Sequence, residues 1–134
     1  MKIIKLQILM LLIPININLY AQDIQRFLGT YHLKGVCEDY THAGFVFPDE
    51  RNVIIKEGIE SDLLINIGAS ANDNDFKTFL SEDSLFIPLQ WWVNYDGTNA
   101  SFKAKGKLEN DSLFLSYGAG GTFGVFFCEC KESK

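Results

Sequence analysis

The sequence predicts an all-β domain, built as an eight-stranded antiparallel up-and-down barrel. Short runs with strand-like alternation follow one another along the chain, and turn residues separate nearly all of them. Beyond the N-terminal leader, no long stretch has a helical period. Strands joined by local hairpins can close into a barrel, which removes the sheet edges, so we favour the barrel over an open two-sheet β-sandwich.

The N-terminus has the pattern of a secretory signal peptide. Two lysines precede an apolar run at residues 6–17, and the small residue Ala21 precedes a polar sequence. The run is too short, and too interrupted by Pro14, to span a membrane. We therefore expect cleavage of residues 1–21, a single mature domain at residues 22–134 with no transmembrane segment, and export to the periplasm, the outer-membrane surface or the extracellular space.

The composition is acidic, with 17 Asp and Glu residues against 12 Lys and Arg residues in the whole chain. The predicted leader contains lysines and no acidic residue, so the mature domain is more acidic still. Nucleic-acid binding depends on Lys and Arg residues that neutralise phosphates. We therefore expect no nucleic-acid partner.

The first strand is predicted at residues 26–37. Its residues alternate, and we expect the face that carries two aromatic rings and a cysteine to turn towards the core. Glycines on that face indicate a bend or the close approach of another strand. The core-facing residues are Phe27, Gly29, Tyr31, Leu33, Gly35 and Cys37.

Residues 38–50 are predicted to form the longest loop, because they have no clean period and contain Pro48. Long loops in compact domains are often functional. Phe45 and Phe47 lie in this segment, where their rings would gate a cavity mouth or plug one end of the barrel.

The clearest period-two signal lies at residues 99–108, where three outward lysines alternate with Phe102, Ala104 and other core-facing residues. The glycine-rich segment 118–121 is predicted to be a turn. The remaining strands are predicted at residues 51–57, 62–67, 76–80, 85–93, 113–117 and 122–131.

The most aromatic strand is the one predicted at residues 85–93. Its Pro88 lacks a backbone donor, which indicates an edge strand, a bulge or a bend. Trp91 and Trp92 are consecutive, so their rings should point to opposite faces. We expect one ring in the core, and the outer ring with Tyr95 could form a stacking platform for a ligand.

All three cysteines lie in the predicted mature domain. Export favours a disulfide, and a bridge from Cys37 to the C-terminal pair would close a loop of about 90 residues, worth about 4–5 kcal/mol in the chain-entropy model. Cys128 and Cys130 share one face of a strand, which holds them too far apart to bridge each other. We expect Cys37–Cys128, with Cys37–Cys130 as the alternative.

The sequence contains no recognisable catalytic or metal-binding constellation. His32 and His42 are the only histidines, and there is no Cys-x-x-Cys pair. No nucleophile–base set or pair of carboxylates converges in the predicted topology. We therefore expect no metal, no cofactor and no enzymatic activity.

The order of motifs along the chain is more specific than any motif alone. The segments that carry it are residues 27–31, Cys37, residues 65–66, 86–90, 105–106 and 113–117, and Cys128. In this order they resemble a family of small secreted bacterial proteins with a lipocalin-like barrel. The resemblance implies a lipocalin-like fold and export, and it offers no catalytic residues to transfer.

Two functions remain as hypotheses. The first is a lipocalin-like binding protein that holds a small apolar or amphipathic ligand, since barrel mouths are common ligand sites. The alternative is a filled-core structural or interaction domain that acts through its surface and binds no small molecule. The residues expected to line a ligand site are Tyr31, Phe45, Phe47, Trp91, Trp92, Tyr95 and Tyr117.

Overall fold

The structure, a computed structural model, describes residues 23–42, 44–68, 74–94, 97–122 and 124–133 of the chain. The predicted signal peptide and Tyr95 lie outside these residues. Within them, a short helix at residues 23–27 precedes the strands, and no helix has the length and apolar character needed to cross a bilayer. The strands are β1 (Gly29–Asp39), β2 (Phe45–Glu57), β3 (Leu63–Asn66), β4 (Phe76–Ser81), β5 (Ser84–Val93), β6 (Asn99–Glu109), β7 (Ser112–Gly121) and β8 (Gly124–Glu132).

The strands close into one antiparallel barrel. Each strand pairs with its neighbour in the chain, and β8 pairs back onto β1. This confirms the predicted eight-stranded up-and-down barrel and excludes the open sandwich. Closure pairs β1 with β8. In an open sheet these two strands would be exposed edges.

The interior of the barrel is packed over the described residues. Leu33, Ile87 and Phe102 have no accessible surface, whereas a void that admits water would leave its lining side chains accessible. At one end, Phe27 of the short helix is fully buried, and the Tyr31 hydroxyl donates to the Phe27 carbonyl at 2.8 Å. The alternation predicted for β6 is confirmed, with its lysines exposed and its apolar residues inside.

The predicted loop at residues 38–50 is wrong. β2 begins at Phe45, so only a short turn separates it from β1, and Pro48 lies opposite Val36 in the ladder. Proline is tolerated there because β3 pairs only with residues 54–57 of β2, which leaves Pro48 on a stretch with a single neighbouring strand. Pro48 therefore interrupts the sequence pattern without ending the strand.

Two other predicted boundaries also differ. The segment 118–121 is not a turn, because β7 continues to Gly121 and Gly118 pairs with both β6 and β8. Residues 23–27 form a helix, so the first strand begins at Gly29 and not at residue 26. Gly118 is part of β7 because it pairs with Lys103 on β6 and Phe127 on β8, the neighbouring strands of the meander.

The irregularity predicted at Pro88 is a β-bulge. The register between β5 and β6 shifts between Ile87 and Gln90, and the β4–β5 backbone ladder ends nearby. The Gln90 side chain continues it: its Oε1 accepts from the Lys77 N–H at 2.8 Å and its Nε2 donates to the Lys77 carbonyl at 2.9 Å. The Gln90 side-chain amide thus makes the two hydrogen bonds to Lys77 that the backbone of β5 would make in a regular ladder.

Replacing Gln90 by alanine should lower the free energy of unfolding by about 1–2 kcal/mol, because the Lys77 N–H and carbonyl lose their partners at a partly solvated seam. Amide hydrogen exchange at Lys77, followed by NMR, should accelerate. Gln90→Glu is the matched control, since it keeps the acceptor for the Lys77 N–H. An unchanged exchange rate at Lys77 in Gln90→Ala would contradict this role.

Candidate functional site

A buried polar cluster lies inside the barrel. Asp49 and Arg51 occupy alternate inward positions on β2, and Arg51 binds the Asp49 carboxylate through Nε at 2.9 Å and Nη2 at 2.6 Å. Two further donors reach Asp49 Oδ2: the Tyr117 hydroxyl at 2.6 Å and the Cys130 thiol at 3.1 Å. The carboxylate therefore joins side chains from β2, β7 and β8.

The pKa values of the cluster diverge. Burial alone would raise the pKa of Asp49, but the hydrogen bonds from Arg51, Tyr117 and Cys130 outweigh it and lower that pKa. Burial and then the hydrogen bond to Asp49 raise the pKa of Tyr117, and the same two causes raise the pKa of Cys130 to about 12. At neutral pH the carboxylate is ionised, and the phenol and the thiol keep their protons.

Gly35 lets the cluster form. On β1 it pairs with Asp49 of β2 on one side and with Cys130 of β8 on the other. A Cβ at this position would lie 1.9 Å from the Glu129 carbonyl oxygen and 2.6 Å from the Cys130 Cα. Because Gly35 has no side chain, the side chains of Asp49 and Cys130 meet across β1. The predicted close approach of another strand at this glycine is confirmed.

The predicted Cys37–Cys128 disulfide is confirmed, and Cys130 is the buried free thiol. Cys37 and Cys128 are direct partners across β1 and β8. Their sulfurs and an Asp49 oxygen lie within 4.8 Å of one another, but both sulfurs are committed to the disulfide and cannot act as thiolate ligands. Cys130 retains its proton, and the thiolate is the reactive form. We therefore interpret the cluster as a cross-strand support.

The described residues also form a groove on the outer face of the barrel, here named the β7 groove. It encloses about 850 Å³, and an adjoining groove of about 580 Å³ extends it towards the β6–β7 turn. The outward positions of β7 at its floor are Ser116 and Gly118. The Phe127 ring and the Lys103 side chain lie over Gly118, where an added Cβ would be 3.1 Å from the ring and 3.5 Å from Lys103 Cε. The neighbouring strands supply the walls, which are Lys103 and Lys105 on β6 and Phe127 and Glu129 on β8.

Six large apolar side chains around the β7 groove are exposed to solvent. Their exposed fractions run from 43% for Phe127 to 59% for Phe86. Phe127 contacts Tyr40 edge-to-face at 5.0 Å, whereas Phe86 and Leu89 on β5 lie across β6 and β7 from them. Single exposed apolar residues are ordinary, but several around one groove indicate an interaction site in soluble proteins. The six residues are Val36, Tyr40, Val46, Phe86, Leu89 and Phe127.

Opposite charges stand on the two sides of the groove. Ser116 separates Lys105 on β6 from Glu129 on β8, and two strand spacings amount to about 10 Å. Lys103, Lys105 and Glu129 take part in none of the ion pairs among the described residues. Lys103 lies over the Phe127 ring, with its Nζ 5.8 Å from the ring centroid. The charges that flank Ser116 are therefore Lys105 on β6 and Glu129 on β8.

The two tryptophans point to opposite faces, as predicted. Trp91 lies outside and is 68% exposed, whereas Trp92 packs inward against Phe76 with ring centroids 5.5 Å apart. Phe76 stacks on Phe102 at 4.5 Å, and Phe102 contacts Tyr117 at 5.6 Å. Trp92 and Tyr117, two of the proposed ligand residues, are therefore linked through packed aromatic rings.

The other proposed ligand residues lie at separate places. Phe45 and Phe47 stack on each other at 6.2 Å, and Phe47 meets Phe126 edge-to-face at 5.6 Å, where it helps to plug one end of the barrel. Tyr31 lies at the opposite end, next to the short helix. Within the described part of the chain these residues therefore line no common pocket.

The fold and the surface define the class of protein: a closed eight-stranded up-and-down β-barrel with a packed interior and an exposed apolar groove. Comparison with protein-family models, with curated proteins and with solved structures finds no match for this chain. The resemblance to small secreted lipocalin-like proteins therefore stays a prediction.

Sequence reasoning missed both sites. The predicted loop at residues 38–50 includes Asp49, although Asp49, Arg51 and Val53 continue the period of β2 towards its N-terminus. Two charged residues at inward positions of one strand indicate a buried ion pair, and this was the signal that the sequence offered. The floor of the groove was missed because the glycines from Gly118 onwards resemble a turn.

Proposed function

We propose that this chain is an exported, filled-core β-barrel that acts as an interaction domain through its outer face. The observation that carries the proposal is the exposed apolar patch around the β7 groove. Contact with a partner would remove this surface from water, which is favourable in proportion to the apolar area covered. Charged walls beside the patch would set the orientation of the partner.

The packing of the interior supports the outer face as the binding surface. A carrier of a small ligand needs a cavity of about 300 Å³ or more inside the barrel. Leu33, Val53 and Ile87 lie within the barrel and have no accessible surface. The described core therefore favours the filled-core hypothesis over the carrier hypothesis.

Export and family remain parts of the proposal. The Cys37–Cys128 disulfide supports an exported location, since disulfides persist in oxidising compartments. The N-terminal pattern of residues 1–21 supports the same location. The closed barrel is also the architecture that the lipocalin-like resemblance implies.

Site-specific photo-cross-linking in the native host tests the proposal. Leu89 and Phe127, both in the groove, are each replaced by a photoreactive phenylalanine derivative, and Ile54, exposed on the outer face of β2, is the matched control. We expect covalent protein adducts from the two groove positions and none from Ile54. Adding Phe86→Asp in the same groove should abolish the adducts.

Two results would contradict the interaction function. One is the absence of a protein adduct at both groove positions. The other is an equal yield at Ile54, which would show that the adducts arise from non-specific collision with the barrel surface.

One observation favours a small amphipathic ligand as a second candidate. The groove volume of about 850 Å³ falls in the range of about 300–1,000 Å³ that is usual for ligand pockets. Native mass spectrometry of protein purified from its host separates the candidates. A bound small molecule that is lost in Phe86→Asp would support the ligand-binding function. If the wild-type protein carries no small molecule, the interaction function is favoured.

A further inference from the structure

We propose that the protein docks on the surface of a lipid bilayer with anionic headgroups, through a row of exposed apolar side chains here named the β5 strip. The exposed fractions of these side chains run from 39% for Phe79 to 68% for Trp91. The inference goes beyond the proposed function, because the strip extends past the β7 groove and its occupant is a lipid surface. The β5 strip consists of Phe79 on β4 and of Phe86, Leu89, Trp91 and Val93 on β5.

The strip is continuous along the barrel wall. Phe79 and Phe86 are direct partners across β4 and β5, and the outward side chains of β5 continue from Phe86 to Val93 over about 20 Å. The one polar side chain within this stretch, that of Gln90, bonds to the Lys77 backbone. A contiguous apolar surface of this kind marks a site of contact with a protein or a membrane.

The backbone beneath the strip suits an apolar environment. Unsatisfied backbone groups are costly in a bilayer, where no water is present to bond them. β5 is paired with β4 on one side and with β6 on the other. At the bulge, Pro88 has no N–H, and its carbonyl accepts from Gln90 Nε2 at 3.0 Å. The irregular point of the strand is therefore bonded within the barrel.

Shape and chemistry favour a lipid surface over a protein as the occupant. The strip lies on the convex outer wall of a barrel, and a fluid bilayer can adapt to a convex surface. Protein interfaces carry about one hydrogen bond per 100–200 Å², whereas the outward side chains from Phe86 to Val93 offer one polar group, the Trp91 indole N–H. Tryptophan is enriched where a bilayer meets water, because its ring is apolar and its N–H is polar.

Lysines on β6 border the strip and complement anionic headgroups. Lys105 is the direct partner of Phe86, and Lys103 and Lys107 occupy the neighbouring outward positions. Within the part of the chain that the structure describes, Lys103 and Lys105 form no ion pair. Their long side chains can cover apolar surface with the methylene groups while the ammonium groups reach lipid phosphates.

The acidic composition of the chain does not oppose docking through this face. The outward positions of β5 carry no acidic side chain, and those of β6 carry only Glu109, which pairs with Lys107 at 2.9 Å. In the β4–β5 turn, Asp83 pairs with Arg26 at 2.6 Å, and Glu82 lies at the end of β5 away from the tryptophans. Exposed charges more than about 8 Å from the lipid are largely screened at physiological ionic strength.

Vesicle co-sedimentation of the mature chain tests the proposal. The vesicles are phosphatidylcholine alone, or phosphatidylcholine with about one third phosphatidylglycerol, in about 0.15 M salt. We expect binding to the anionic vesicles. Trp91→Ser/Val93→Ser should lower the partition coefficient at least about tenfold. Lys103→Gln/Lys105→Gln should lower it about 10–30-fold on anionic vesicles and leave binding to phosphatidylcholine alone unchanged.

Two matched controls carry the same substitutions elsewhere on the outer face. Ile54→Ser removes an exposed apolar side chain from β2, and Lys34→Gln removes a lysine from β1, which lies four strands from β5 in either direction around the barrel. Both should bind vesicles as the wild type does. Circular dichroism verifies that each variant is folded.

Fluorescence reports the position of the strip directly. The chain contains two tryptophans, so Trp92→Phe leaves Trp91 as the single emitter. Its emission should shift to shorter wavelength on anionic vesicles, and lipids with brominated acyl chains should quench it, because the exposed indole leaves water for the interface.

Four results would overturn the lipid proposal: a wild-type chain that binds neither kind of vesicle, a strip variant that binds as tightly as the wild type, Trp91 emission that vesicles do not change, or a photoreactive derivative at position 91 that cross-links to a protein in the host. The failure is distinguishable from that of the proposed function, because Trp91 and Val93 do not line the β7 groove. If no vesicle is bound and the groove positions cross-link to a protein, the lipid proposal is wrong and the interaction function stands. If the strip binds vesicles and the groove positions yield no protein adduct, the reverse holds.

Discussion

Replacing Asp49 by leucine is expected to lower the free energy of unfolding by about 3–5 kcal/mol, because it leaves the Arg51 charge buried without its partner. The side chains of Asp49 and Arg51 are 7% and 18% exposed, so water can stabilise little of the unpaired Arg51 charge. Tyr117 and Cys130 lose their shared acceptor in the same variant. Urea denaturation of the wild type and the variant gives the difference.

The matched control removes both charges. Replacing Arg51 by methionine in the Asp49→Leu background is expected to recover most of the loss, since a buried pair can be exchanged for apolar side chains at small cost. The single variants and the double variant form a cycle that isolates the coupling between the two residues. If the losses of the two single variants simply add, the ion pair does not have the role assigned here.

The contribution of Asp49 should depend on pH. Its folded-state pKa is lowered, so it lies below the unfolded value of about 3.9. The stabilisation is therefore complete above about pH 4 and is lost as the pH falls through the folded-state pKa. The gap in unfolding free energy between the wild type and Asp49→Leu should narrow on acidification below pH 4. A constant gap would contradict the assignment.

Removing the disulfide is the second large change. The double variant Cys37→Ala/Cys128→Ala should lose about 4–5 kcal/mol of unfolding free energy, because the bridge closes a loop across 91 positions of sequence and so restricts the unfolded chain. The dependence of that free energy on urea should also steepen, since the unlinked chain exposes more surface when it unfolds.

Cys130→Ser is the control for the disulfide. Serine keeps a donor for Asp49 and leaves Cys37 and Cys128 paired, so the loss should stay within about 1 kcal/mol. Peptide mapping should show the same bridge as in the wild type. A loss as large as that of the double variant, or a missing bridge, would contradict the pairing.

Local alternation accounts for most of the fold that could be predicted. A strand in a barrel has one face inside and one outside, so the period of two at residues 99–108 indicated both the strand and its orientation. For the same reason, consecutive positions on a strand predict opposite faces for Trp91 and Trp92, as the structure shows. Short turns between such runs predicted hairpins, and consecutive hairpins predicted the meander.

The buried cluster could not be predicted in this way. Asp49 is stabilised inside the barrel by Tyr117 and Cys130, which lie 68 and 81 positions further along the chain. Without these donors, a carboxylate at that position resembles loop residues. Pro48 beside it interrupted the pattern, and its tolerance depends on the short pairing of β3 with β2.

The β7 groove could not be predicted either, because it depends on which residues of β6, β7 and β8 become neighbours across the sheet. Sequence alone determined the alternation of each strand, the order of the hairpins and a long bridge from Cys37 to one of the two C-terminal cysteines, because these are properties of neighbouring residues or of chain length. The structure selects Cys128 as the partner of Cys37. Only the tertiary structure decided that Ser116 lies between Lys105 and Glu129. Register sets which residues become neighbours across strands, and closure of the whole barrel sets the register.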